Sequence, residues 1–168
     1  MILAKRQVFY SFHYKPDCRR AARVRNIGVV EGNKPAPDND WEEITEGGDQ
    51  KIKNWIKGQL KHRSCTVVLV GSNTADRKWI NYEIIESWDS GMGVVGIYID
   101  GLKDLDGSIS SKGDNPFDYI TFGNSDKKLS EIVKCYTPTG SNSKEKYNWI
   151  SRYLSGAIET AIKIREDN

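Results

Sequence analysis

Between Cys65 and Trp88 the chain reads CTVVLVGSNTADRKWINYEIIESW, and no other stretch limits the possible folds so tightly. The run Thr66-Val67-Val68-Leu69-Val70 is too short for a helix and apolar on both faces. That pattern belongs to a central strand of a parallel sheet with helices on both sides. Gly71 stops the strand, and Ser72-Asn73 supplies a cap or turn ahead of a helix. On this helix Trp79, Tyr82 and Glu83 fall on neighbouring turns, since positions three and four apart share a face. A single acid thus follows a tryptophan by four positions, just past the carboxyl end of a buried strand. Ligands of open α/β sheets bind at that end.

The other segments fit around this unit. Gln7 to Phe12 reads as a first strand carrying Val8, Phe9, Tyr10 and Phe12. Pro16 cannot continue it but suits the first turn of a helix from about Asp17 to Asn26. That helix sets Arg19, Arg20 and Arg23 on one side, a pattern more often solvated than used as a phosphate clamp. Gly28 ends it, and Ile27, Val29 and Val30 suggest a short second strand. Glu31 to Gly48 is a long irregular connection with two prolines and a Gly-Gly pair. Loops of this length are usually functional or disordered, and Trp41 within it needs a pocket or a partner to cover.

From Asp49, Ile52, Trp55, Ile56 and Leu60 recur at helical spacing, ending near His62-Arg63-Ser64. Val94 to Ile99 is a second buried strand, followed by a long loop from Asp100 to Tyr119 containing KGDNPFDYI. Ile132 to Tyr136 suits an edge strand, and a stripe from Tyr147 through Ile150, Leu154 and Ile158 to Ile162 marks a last helix. Alternating strands and helices predict an α/β, flavodoxin-like three-layer fold. It has about five parallel strands in the order 2-1-3-4-5 and forms one domain over residues 1–168.

Composition narrows the function classes. Twenty-five basic against 23 acidic residues give a net charge of +2, too balanced to argue for nucleic acid. Cys18, Cys65 and Cys135 lack any C-x-x-C pair, which argues against a disulfide framework or zinc site and fits a reducing cytoplasm. No stretch approaches membrane-spanning length. His13 and His62 lie far apart, so a histidine metal site has no support. Neither G-x-G-x-x-G nor G-x-x-x-x-G-K-[ST] occurs, and no acid ends the first or third strand as a phosphoreceiver would require. G-x-S-x-G is missing too.

What remains is Trp79-x-x-x-Glu83. On pattern alone, a helical glutamate is usually solvated and a helical tryptophan usually core. His13 reads more readily as a strand-end surface residue than as a catalyst, and Asn115-Pro116-Phe117 as a turn with an apolar anchor. Asp40 and Trp41 would then simply order their loop.

Four separated blocks change that balance: VFYSFHY, DNDWEE, VVLVGSNTADRKWINYEI and KGDNPFDYI. Together, over roughly residues 5–120, they resemble the TIR-like proteins of bacterial Thoeris anti-phage systems, the ThsB type. Within them S-N-T-x(4)-W-x-x-x-E looks like the TIR signature of serine, tryptophan and catalytic glutamate. The resemblance implies a TIR fold that takes NAD as substrate, with no other cofactor and no metal, and with Glu83 as the catalytic residue. It implies conversion of NAD into a cyclic or modified ADP-ribose messenger that activates a separate effector protein. Ser11, Phe12, His13, Asp40, Trp41, Ser72 and Trp79 are the positions it sets around the substrate. The Glu31–Gly48 segment corresponds to the TIR loop that frames the active site and helps assemble protomers. Two departures lie near that pocket: Ile80 replaces the usual cysteine, and Ser11-Phe12-His13-Tyr14 replaces a plain serine-tyrosine. Beside this stand a non-catalytic TIR-like adaptor working through Trp41, and a nucleoside glycosyl-transferring enzyme with a lone glutamate.

Overall fold

A computed structural model describes residues 5–32, 48–123 and 125–168. Its strands are β1 (Gln7–Ser11), β2 (Glu31–Gly32), β3 (Cys65–Val70), β4 (Gly93–Tyr98) and β5 (Cys135–Tyr136). The helices are α1 (Tyr14–Arg25), α2 (Gly48–Leu60), α3 (Lys78–Asp89) and α4 (Ser143–Glu166). The five strands form one parallel sheet in the order β2-β1-β3-β4-β5. This is the flavodoxin-like order expected of the chain.

Side chains alternate across a strand, so each strand feeds two layers. Val8, Tyr10, Cys65, Val67, Leu69, Val95 and Ile97 join Ala21 and Val24 of α1 and Ile150, Leu154 and Ile158 of α4 in one cluster. On the other face Val68, Val70 and Val94 meet Ile80, Ile84 and Trp88 of α3, while Phe9 meets Ile52, Ile56 and Leu60 of α2. All six residues of β3 and all six of β4 are buried, because helices cover both sides. Each fully buried branched aliphatic side chain contributes about 1.5–3 kcal/mol. Gly93 lets α4 approach β4: a Cβ there would stand 2.8 Å from the Ile162 backbone nitrogen.

Several boundaries differ from the expectation, each for a local reason. Gly28 turns the chain at φ 77°, so Ile27–Val30 forms a turn and the paired residues of the second strand are Glu31 and Gly32. Helix α1 begins at Tyr14, since Pro16 still falls in the first turn, where its missing N–H has no helical acceptor anyway. Helix α3 is capped at Arg77, which leaves Ser72-Asn73 in a turn rather than at the cap. Beyond β4, Asn115 Oδ1 accepts from the Phe117 backbone N–H at 2.9 Å and opens a single 3₁₀ turn, Pro116–Tyr119. Phe117 is fully buried there, the apolar anchor expected of that turn.

Arginine 20 departs most from its solvated reading. It is 4% exposed, and its Nε donates to Leu102 O at 2.7 Å. Its remaining nitrogens donate to Pro16 O at 3.1 Å, Ser108 O at 3.2 Å and Asp17 Oδ1 at 3.4 Å. Arg19 and Arg23 stay exposed. Arg20 therefore pins the 99–110 loop to α1 through acceptors that the sequence places 82 and 88 residues away.

Candidate active site

The carboxyl edge of β1 and β3 collects the residues that matter. Ser11, the last residue of β1, is buried and points to the α2–α3 side of the sheet, as does Phe9 two positions earlier. There it faces Glu83, which the third helix delivers one turn after Trp79. Glu83 is 3% exposed, and its Oε2 has no hydrogen-bond partner among the described residues. Burial pushes its pKa up to about 8, and the Ser11 hydroxyl only partly offsets that. Ser11 Oγ stands near the carboxyl but completes no hydrogen bond of full geometry among the described residues. The glutamate read as a surface residue on pattern alone is therefore a buried acid that keeps its proton at neutral pH.

One turn on, a polar bolt fixes this helix against the sheet. Ser87 Oγ donates to Glu83 O at 2.6 Å and is paired with Thr66 Oγ1 of β3 at 2.6 Å. Since Ser87 spends its proton on Glu83 O, Thr66 is the donor to Ser87. Both hydroxyls are fully buried, so the register of α3 on β3, and with it the place of Glu83, is specified by hydrogen bonds as well as by packing.

Beside this pair opens a polar cavity of about 560 Å³. His13 and Ser72 line it, together with Asp76, Arg77, Lys112, Gly113 and Asp114. Glu83 is not on its wall; β1 links the two, since Ser11 faces Glu83 and His13 lies two residues on. His13 is the N-cap of α1 and its Nδ1 is buried without a partner among the described residues. Burial first, then Arg77 and Lys15, hold its pKa below the usual histidine value. The turn beneath the cavity is tied by Thr74 Oγ1, which accepts from the Gly71 N–H at 2.8 Å, and carries Asp76 in the left-handed region at φ 59°. Lys112 Nζ lies 4.3 Å from the centre of the Tyr98 ring and donates to Thr137 Oγ1 at 2.9 Å.

Of the expected site residues, the structure brings Ser11 together with Glu83, and His13 together with Ser72. Trp79 is partly buried against the α2 cluster, edge-on to Tyr82 at 5.7 Å and beneath Lys78 Nζ at 4.8 Å. Phe12 belongs elsewhere: it packs into the cluster on the opposite sheet face, 6.2 Å from the Tyr14 ring. Asp40 and Trp41, with most of the Glu31–Gly48 segment, lie outside the described residues.

Sequence reasoning missed Asp17. It is 1% exposed, its Oδ2 is unpartnered among the described residues, and burial raises its pKa to about 6 against the pull of Arg20. A Cβ on Gly71 would stand 2.1 Å from that oxygen, so Gly71 is required where α1 meets the end of β3. Gly113 makes a similar approach, its notional Cβ lying 2.3 Å from Gly71 O. The only sequence signal for these contacts is glycine at a strand end and within KGDNPFDYI.

A five-stranded parallel sheet in this flavodoxin-like order, covered by helices, is consistent with a TIR-like domain. Residues 9–104 match the family described as "Thoeris protein ThsB, TIR-like domain". A curated relative, "Putative cyclic ADP-D-ribose synthase ThsB1" of Bacillus cereus (strain MSX-D12), is 42% identical over 125 residues, covering 71% of this chain. The chain belongs to the Thoeris ThsB-type TIR-like family. The shared stretch covers 65% of the relative's own length, just under two thirds. Among the described residues no helix is long and apolar enough to cross a membrane.

Proposed function

We propose that this protein cleaves NAD at the nicotinamide–ribose bond and closes the remainder into a cyclic or otherwise modified ADP-ribose messenger. The observation that carries this is Glu83, a buried carboxyl with an unpartnered oxygen at the carboxyl edge of the central strand. Membership of a family whose curated relative is named for cyclic ADP-ribose synthesis supports it.

The chemistry follows from where charge develops. When the C1′–N bond breaks, its electron pair leaves with nicotinamide and the ribose becomes an oxocarbenium-like cation. A carboxylate beside it offsets that charge, most strongly where water is excluded. A nucleophile on the adenosine half then bonds to C1′. The proton it loses is taken up by the Glu83 carboxylate and passed to solvent, so NAD⁺ yields cyclic product, nicotinamide and H⁺. Capture by water instead would give plain ADP-ribose, which makes water exclusion the step that sets the product. Nicotinamide leaves readily, and no second carboxylate is needed as a general acid. His13, Arg77 and Lys112, all on the wall of the neighbouring cavity, are the groups suited to the diphosphate. Trp79, partly exposed next to Glu83 on α3, is the aromatic suited to cover a ring.

The messenger would reach a separate effector protein by diffusion, with copies of this chain assembling in the cytoplasm. Three free cysteines agree with that compartment. The deciding experiment is mass spectrometry of nucleotides from phage-challenged cells expressing the protein or its Glu83→Gln variant. Nicotinamide release and the new nucleotide should fall by about 10²–10³ in the variant. Equal yields from both would overturn the assignment, and an adaptor would give no new nucleotide from either.

A further inference from the structure

A second cavity, of about 640 Å³, lies in the groove between α1 and α4. Both helices pack on the sheet face opposite Glu83. Its walls carry Arg23 and Asn26 from the end of α1, Lys103 from the loop after β4, and Asn142, Lys144 and Tyr147 from the start of α4. We infer that this cavity is a binding site for a phosphate-bearing small molecule, separate from the site around Glu83.

Three cations converge there, and among the described residues the lining includes no carboxylate. Some exposed cations of this near-neutral chain have an acidic partner: Arg6 with Glu159, Lys78 with Asp49, Lys163 with Asp167. Arg23, Lys103 and Lys144 have no ion-pair partner among the described residues. The acids next to them in sequence are committed elsewhere. Asp104 Oδ2 lies 4.0 Å from Arg20 and its Oδ1 accepts from the Leu105 N–H. Glu145 Oε2 accepts from the N–H of Ser141 at 2.6 Å and from its hydroxyl at 2.9 Å. Like charges gathered without a counter-charge repel one another, and a bound polyanion removes that cost.

The rim is also held in place. Ser143, 7% exposed, accepts the Lys103 backbone N–H on its Oγ at 2.9 Å, joining the loop to the first turn of α4. Buried Arg20 holds the adjacent Leu102 carbonyl at 2.7 Å. Lys103 and Lys144 are thus presented on one rim by fixed backbone, and the long α4 helix adds its positive end. The volume suits a nucleotide-sized ligand, with Tyr147 and the asparagines as walls for whatever the phosphates carry.

The test is isothermal titration of the whole protein with pyrophosphate, ADP and adenosine, repeated with the Lys103→Ala/Lys144→Ala variant and with Lys112→Ala, which alters the other cavity. Pyrophosphate and ADP are expected to show a binding event that persists in Lys112→Ala and weakens about tenfold in the double variant. Raised salt should weaken both, and adenosine should not bind. Tighter binding of ADP than of pyrophosphate would show that the nucleoside is also held; equal binding would show that phosphate alone is recognised. The inference is overturned if neither anion binds, if adenosine binds as well as ADP, or if only Lys112→Ala weakens binding. Should the double variant misfold, Lys144→Gln is used, and unchanged affinity for both anions overturns the inference equally. None of these readings depends on NAD cleavage, so failure here and failure of the proposed activity are separately visible.

Discussion

The carboxyl of Glu83 sets the pH behaviour of the protein. Burial raises its pKa from an ordinary 4.5 to about 8, so across that window the folded chain holds a proton that the unfolded chain has lost. Stability therefore falls as pH rises from about 4.5 to about 8. Asp17, raised from 3.8 to about 6, acts in the same direction at lower pH. His13 opposes both: its folded pKa is lowered, so its contribution is lost as pH falls through the ordinary 6.5. Above about pH 6.5 Glu83 governs among these three. Glu83→Gln should stabilise the fold by roughly 1–3 kcal/mol near pH 8 and by nothing near pH 4, read from urea denaturation across that range. Under the proposed chemistry the carboxylate is the active form, so kcat/KM for NAD should climb with pH toward about 8. Glu83 could be singled out from its spacing behind Trp79 and its block resemblance. Asp17 could not, because its burial depends on Gly71, a residue more than fifty positions away whose bare Cα it touches.

Among the elements, β3 and β4 were the most legible, since an apolar run with no polar face has one home in an α/β sheet. The second strand was not, because two paired residues, Glu31 and Gly32, carry no periodicity and their pairing is dictated by β1. Helix α1 showed its apolar side but hid the role of Arg20, whose acceptors are backbone carbonyls on a distant loop. Arg20→Met should destabilise by about 3 kcal/mol, leaving Leu102 O and Ser108 O without their donor and Asp17 without its cation. Arg20→Lys should recover little of this, since a point charge cannot serve the divergent acceptors of a planar fork. Equilibrium denaturation of the two variants tests both statements.

For the whole molecule, the site is an agreement between distant segments at one edge of the sheet. The turn after β3, the start of α1 and the 99–115 loop meet where Gly113 lies against Gly71 O and Ser72 O. Sequence patterns describe each segment and are silent on their approach, which is why the cavity beside His13 and Ser72 appears only in three dimensions. Gly113→Ala should push the loop off the end of β3, costing about 1–3 kcal/mol. Because the displaced loop carries Lys112, KM for NAD should rise more than kcat falls, as steady-state kinetics would show. A KM equal to that of the parent would separate this loop from substrate binding.

The buried acid also makes the protein a proton source. A cationic nicotinamide riboside seated against Glu83 would favour its ionised form, so near pH 7 each NAD that docks should expel close to one hydrogen ion before any bond breaks. Calorimetry in buffers of unequal protonation enthalpy would count that ion directly: the observed heat should change with the buffer near neutrality and become independent of it well above pH 8.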